Sequence, residues 1–160
     1  MNTVQSYQRK DLGVARPVNV EEIPWVEFDL EFGHSQSKLI RVCVRENWFI
    51  SRIRWSAGIK IPTHRHFGPV HVVTHSGRWH YKEYDWYATA GSHVYETPET
   101  EHSLVVDEDI DITVTTFGAF VDIGPNGELY RYYDAQVVLD IYAQMLAATG
   151  RKVPPDIIVG

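Results

Sequence analysis

An all-β fold, a sandwich or barrel of short strands closed by one terminal helix, follows from three observations. Runs rich in Val, Ile, Thr and aromatic residues recur from Trp25 onward, clusters of turn residues separate them, and only one segment near the C-terminus changes to a helical period. A length of 160 residues fits one domain with one core.

Residues 1 to about 24 hold scattered polar residues with Pro17 and Pro24, and read as an arm or a first edge strand rather than a separate unit. The expected strands are Lys38 to Val44, Trp48 to Trp55, Val70 to Thr74, Trp79 to Tyr84, His93 to Glu96, Ser103 to Val106 and Ile110 to Phe117. Between them stand Ser56-Ala57-Gly58, Ser76-Gly77, Ala90-Gly91-Ser92, Asp107-Glu108-Asp109 and Gly124-Pro125-Asn126-Gly127, residue types that let the backbone reverse. The last of these predicts a hairpin. From Ala135 to Thr149 the apolar residues Val138, Leu139, Tyr142, Met145 and Leu146 recur at helical steps, with Asp134 placed as N-cap and Gly150 and Pro154-Pro155 ending the pattern. Its apolar face should pack on the outside of the β body.

Composition narrows the function. Fifteen Lys and Arg stand against 21 Asp and Glu, for a net charge of -6, and no grouping such as Arg52 with Arg54 or Arg151 with Lys152 makes a basic stripe. Nucleic acid and anionic membranes are therefore not expected partners. Cys43 is the single cysteine and lies in an apolar stretch, as a small buried thiol does. The polar stretch Met1 to Lys10 has no apolar signal region and no segment is long enough to span a bilayer, so a cytoplasmic location is expected.

Seven of the eight histidines fall between His64 and His102. On a strand, His64 and His66 point to one face and Arg65 to the other, which sets two imidazoles side by side. A transition metal needs a third donor on that side, and His102, after the turn Pro98-Glu99-Thr100-Glu101, is the candidate. Three histidines leave coordination positions open, the pattern of a catalytic site rather than a closed structural one. The competing reading makes all three ordinary exposed or turn residues. His71 and His75 share a face with Val73 and line either the cavity mouth or the solvent side, while His80 and His93 have no spacing argument.

These residues resemble the two motifs of the cupin superfamily. Gly58, His64-Arg65-His66 and Gly77 are similar to the first, although Val70 or His71 stands where a glutamate ligand is usual; Gly91 through Pro98 to His102 is similar to the second, with Thr100 in place of a glycine. The resemblance implies a cupin-type double-stranded β-helix, a jelly-roll barrel, with an N-terminal arm and one C-terminal helix. Within cupins the chain most resembles a three-histidine subgroup that includes 2,4'-dihydroxyacetophenone dioxygenase, the acetylacetone-cleaving dioxygenase and ChrR-like cupins, which carries a glutamate six residues before the third histidine. Glu96 holds that place. Further similarity lies in Gly77-Arg78-Trp79-His80-Tyr81, in Asp85-Trp86, and in the ending from Gly118 through Tyr130-Arg131-Tyr132-Tyr133 into the helix.

By that resemblance, His64, His66 and His102 hold Fe(II), with Zn or Ni as alternatives, since imidazole suits all three metals. Three neutral ligands leave the ion its full charge, which favours an anionic bidentate substrate such as an enolised hydroxyketone or β-diketone. The implied reaction is O2-dependent cleavage of the C–C bond beside the carbonyl, giving a carboxylic acid and, from 2,4'-dihydroxyacetophenone, formate. Glu96 is the candidate base or partner of a ligand histidine, although the alternation of β-residues leaves open whether it or His93 faces inward. Trp79, Tyr81 and Trp86, and with them His71, are candidates to shape the substrate slot. Other expectations are a zinc-binding sensor of the ChrR type and a zinc isomerase or hydrolase. A homodimer or higher homo-oligomer is expected from the habit of cupin barrels and from the arm.

Overall fold

The computed structural model describes residues 15–31 and 33–160; most of the expected arm, residues 1–14, lies outside them. The described part of the arm holds a short 3-10 turn at Val20–Glu22, capped by the Asn19 side chain. Ten strands follow: β1 (Val26–Leu30), β2 (Gly33–Cys43), β3 (Trp48–Trp55), β4 (Lys60–His66), β5 (Val70–Tyr81), β6 (Ala88–Thr89), β7 (His93–Glu96), β8 (Glu101–Phe117), β9 (Phe120–Ile123) and β10 (Leu129–Tyr133). They pair antiparallel in the order β1-β2-β3-β8-β4-β9-β10, with β5 on the other edge of β8 and β6 and β7 on β5.

The long strand β8 organises the roll. Along one edge it pairs with β5, from Val70 opposite Thr116 to Tyr81 opposite Leu104. Along the other it pairs first with β3, from Trp48 opposite Phe117 to Trp55 opposite Ile110, and then with β4, from Lys60 opposite Val105 to Arg65 opposite Glu101. Where the partner changes from β3 to β4 the sheet curls over and encloses an interior.

Two expected breaks do not exist. Ser76-Gly77 and Asp107-Glu108-Asp109 read as turns, yet β5 and β8 run through them as single strands whose register slips between Thr74 and Trp79. The reason is a bulge: Gly77 has φ +81°, and a Cβ there would lie 2.0 Å from the Asp109 carbonyl oxygen. Only glycine tolerates both conditions, and the extra residue bends the strand pair without ending it. The hairpin over Gly124–Gly127 joins β9 to β10 as expected.

The helix α1 spans Ala135–Ala147, with the Asp134 carboxylate accepting from the Val137 N–H at 2.8 Å. It buries Ala135, Leu139, Tyr142 and Leu146 against Leu39, Val42 and Phe49 of the outer sheet face, with Ile23 and Val26 beside them. A second core, inside the roll, gathers Ile59, Val70, Val72, Trp79, Leu104, Ile110 and Ile112.

Candidate metal centre

Register brings the histidines together. His64 on β4 stands directly opposite His102 on β8, and opposite Asp122 of β9 on its other side; His66, two residues along β4, shares its face and stands opposite Phe120. The three rings lie with centroids 4.7 Å (His64 to His102), 5.0 Å (His64 to His66) and 5.8 Å (His66 to His102) apart, and one nitrogen from each falls within 4.8 Å of the others. All three are buried. Among the described residues no other group of three metal-ligating side chains converges in this way.

Glu96, at the end of β7 and 5% exposed, points into the same space. Its Oε2 lies 3.3 Å from His102 Nε2 and 3.6 Å from His66 Nε2, and its Oε1 accepts a hydrogen bond from the Tyr81 hydroxyl. The neighbouring residues alternate: Glu96 faces in, while Tyr95 faces out at 53% exposure.

The protonation states suit a cation. His64 Nδ1 sits 2.9 Å from the Pro62 carbonyl oxygen, which can only accept, so Nδ1 carries the proton and Nε2 keeps its lone pair. Burial lowers the pKa of His64 despite that contact. Burial, then the neighbouring His64 and His102, brings His66 down to about 2; burial and His64 bring His102 down to about 3. The three imidazoles are thus neutral, the state that ligates metal. Burial pushes the Glu96 carboxyl up to about 7 against the pull of the Tyr81 hydroxyl. His66 Nδ1, His102 Nε2 and Glu96 Oε2 are buried without any hydrogen-bond partner. A carboxylate oxygen facing an imidazole lone pair repels it unless a proton or cation lies between them. Three converging nitrogen donors, with a carboxylate oxygen beside two of them, fit a divalent transition metal on the chemistry of the donor set alone.

Of the remaining sequence candidates, Tyr81 joins the cluster. Its ring stacks on His102 at 3.8 Å and 16°. Trp86 stands edge-on to Tyr81 at 5.5 Å. Trp79 is wholly buried in the inner core behind Tyr81, its Nε1 donating to Thr74 Oγ1 at 3.0 Å, so it packs rather than lines a slot. His71 is not brought to the site: it lies on the outer face, its Nδ1 3.1 Å from His93 Nε2, because β5 alternates and Val70 and Val72 take the inward positions. His75 is also outside, against Thr113 Oγ1. Phe120 was not expected from the sequence. Its ring lies 5.1 Å from that of His66 and stacks on Tyr133 at 4.6 Å. Only the β4–β9 register reveals it, and no motif marks that pairing.

Comparison with known proteins places these features in context. Residues 15–121 match the family model described as ChrR Cupin-like domain. An RmlC-like cupin protein from Ralstonia eutropha JMP134 superposes with a TM-score of 0.81 at 26% identity, over 88% of this chain and 92% of that one. An acetylacetone dioxygenase from Acinetobacter johnsonii gives 0.77 at 16% identity, over 87% and 98%. The anti-sigma ChrR, solved in complex with SigE from Rhodobacter sphaeroides, gives 0.50 at 16% identity, over 61% and 51%. No curated protein matches the sequence. The jelly-roll cupin architecture expected from the two histidine motifs is the one observed. No helix among the described residues is long and apolar enough to cross a membrane.

Proposed function

The chain belongs to the ChrR cupin-like domain family, and from that premise we propose that it is an iron-dependent dioxygenase cleaving the C–C bond beside the carbonyl of a small hydroxyketone or β-diketone. The observation that carries this reading is the convergence of His64, His66 and His102 on one buried point, with the unpartnered Oε2 of Glu96 beside His66 and His102. Likeness in fold to an acetylacetone dioxygenase supports the reaction class. Fe(II), held by the three imidazoles, would supply Lewis acidity toward two substrate oxygens and the electrons for O2 chemistry.

The residues divide the remaining work. The neutral imidazoles add no charge to the ion, so an enolate is bound in preference to a neutral ketone. Glu96 Oε2 takes the proton from the enolisable carbon, a role helped by a carboxyl whose burial has already made it more basic. Tyr81, Trp86 and Phe120 supply an aromatic wall that excludes bulk water. With 2,4'-dihydroxyacetophenone, one substrate and one O2 give a carboxylic acid and formate.

The deciding experiment is anaerobic reconstitution with Fe(II), followed by oxygen-electrode assay against hydroxyacetophenones and β-diketones. Oxygen uptake matched by formation of an acid supports the proposal. Stoichiometric iron without uptake on any ketone rejects it. A second reading then gains, in which the same four donors hold zinc for a regulatory role; the closeness of Glu96 Oε2 to the histidines favours it, since four protein donors make a closed site. Higher affinity for Zn(II) than for Fe(II), with no turnover, would be its signature.

A further inference from the structure

We propose that Tyr81 is the positioning residue of this centre, one side chain that sets the orientation of both Glu96 and His102. The inference rests on the metal-binding part of the function proposed above and is independent of the reaction catalysed there.

Tyr81 lies near the end of β5, opposite Leu104 of β8, and is 3% exposed. Its hydroxyl donates to Glu96 Oε1, and its ring lies flat on the His102 imidazole, 3.8 Å between centroids. These two contacts use different parts of one side chain. The hydroxyl occupies one carboxylate oxygen, which turns the other, Oε2, toward His66 and His102. The ring covers one face of His102 and restricts rotation of the imidazole about χ2.

Tyr81 is itself held. Trp79, Trp86 and Tyr84 meet its ring edge-on at 5.1, 5.5 and 6.1 Å. Trp79 is in turn tied to Thr74 through its indole N–H. The chain of contacts therefore runs from a rigid aromatic core to the carboxylate, with no exposed or loosely held member between Trp79 and Glu96. Without the hydroxyl, Glu96 Oε1 becomes a buried acceptor with no donor and the carboxylate is free to turn. Partners that orient metal-binding groups in this way are worth about tenfold to a hundredfold in metal affinity.

The test uses the full chain, stripped of metal and titrated with Co(II), read by visible absorption and by competition with a chelator. Y81F keeps the ring and its stacking and removes only the hydroxyl. We expect it to shift the Co(II) absorption bands and weaken Co(II) binding about tenfold, with thermal stability of the metal-free protein little changed. A merely structural tyrosine would act alike whatever stands at position 96, so the decisive comparison is the pair E96A and Y81F/E96A, in which the acceptor of the Tyr81 hydroxyl is gone. If Tyr81 acts through Glu96, adding Y81F to E96A changes neither spectrum nor affinity further. A Y81F spectrum and affinity equal to wild type, or a Y81F effect of the same size in both backgrounds, overturns the proposal. Failure of the dioxygenase reading looks different: Co(II) binding would respond to Y81F as described while no ketone supports oxygen uptake. A wild-type chain that binds no Co(II) overturns both.

Discussion

His64 and His102 face each other directly across the β4–β8 ladder, ring centroids 4.7 Å apart and planes at 87°. Two imidazoles at a right angle cannot stack on one another; they present their nitrogens to a shared point instead. His66, on the same face of β4, meets His64 at 82° in the same manner. Each ligand is carried by a paired strand rather than a loop, so the backbone positions are fixed before any metal arrives.

Replacing any one of these histidines with alanine should therefore abolish tight metal binding. Each variant loses one nitrogen from a set of three, and the one further donor close by, Glu96 Oε2 beside His66 and His102, leaves at most two imidazoles and a carboxylate. The check is metal content after dialysis against trace chelator. Retention of stoichiometric metal by His64→Ala, His66→Ala or His102→Ala would remove that residue from the ligand set.

Glu96→Gln should separate chemistry from binding. The amide keeps the shape and can accept from Tyr81, but it cannot take a proton. Saturating iron should still load to one equivalent on three histidines, while turnover falls about 10²-fold or more, the usual worth of a positioned base. Steady-state oxygen uptake at matched iron content measures this. Unchanged turnover would exclude Glu96 as the base.

Much of this candidate site is legible in the sequence. His64 and His66 declare themselves because a strand repeats every two residues, and that local rule needs no tertiary knowledge. His102 is a candidate by its place after a turn and is strengthened by the motif resemblance, since nothing local says which strand will lie beside β4. Glu96 was legible as a position but not as a direction: period two leaves two equivalent faces, and only the pairing of Val70 with Glu96 and with Thr116 decides that Glu96 looks inward and His71 outward. Phe120 was invisible for the same reason. The strand boundaries failed at Gly77, where a glycine that marks turns elsewhere serves a bulge in the middle of β5.

Gly77→Ala tests that bulge. A Cβ would meet the Asp109 carbonyl at 2.0 Å in a backbone already at φ +81°, and both objections are to backbone atoms that cannot swing away. The expected loss is about 2 kcal/mol or more of unfolding free energy, from steric overlap added to the left-handed penalty. Urea unfolding of metal-free protein checks it. A loss below about 0.5 kcal/mol would mean that β5 and β8 can run past each other without the bulge.

The acid limb of stability should depend on Asp111. Its carboxylate accepts from Arg52 Nε and from Arg54 Nε, both at 2.8 Å, and from a second Arg52 nitrogen at 3.1 Å. Burial works to raise its pKa, but the hydrogen bonds and charges of Arg52 and Arg54 outweigh that and hold it below the ordinary carboxylate value. A folded pKa below the unfolded one means that the unfolded chain binds the proton more readily. The contribution is therefore fully present above the unfolded pKa and is lost as pH falls through the folded one. Asp111→Asn removes the charge, leaving Arg54 short of its counter-ion and Arg52 with Glu21, at 3.1 Å, as its remaining acid, with buried Lys38 nearby. At neutral pH it should cost about 1–3 kcal/mol, the range for a hydrogen bond to charged partners. Below about pH 3, under the unfolded carboxylate range, the difference between variant and wild type should shrink. Thermal unfolding from pH 7 down to about pH 2 measures both effects. A difference that stays constant with pH would assign the loss to packing rather than to the charge on Asp111.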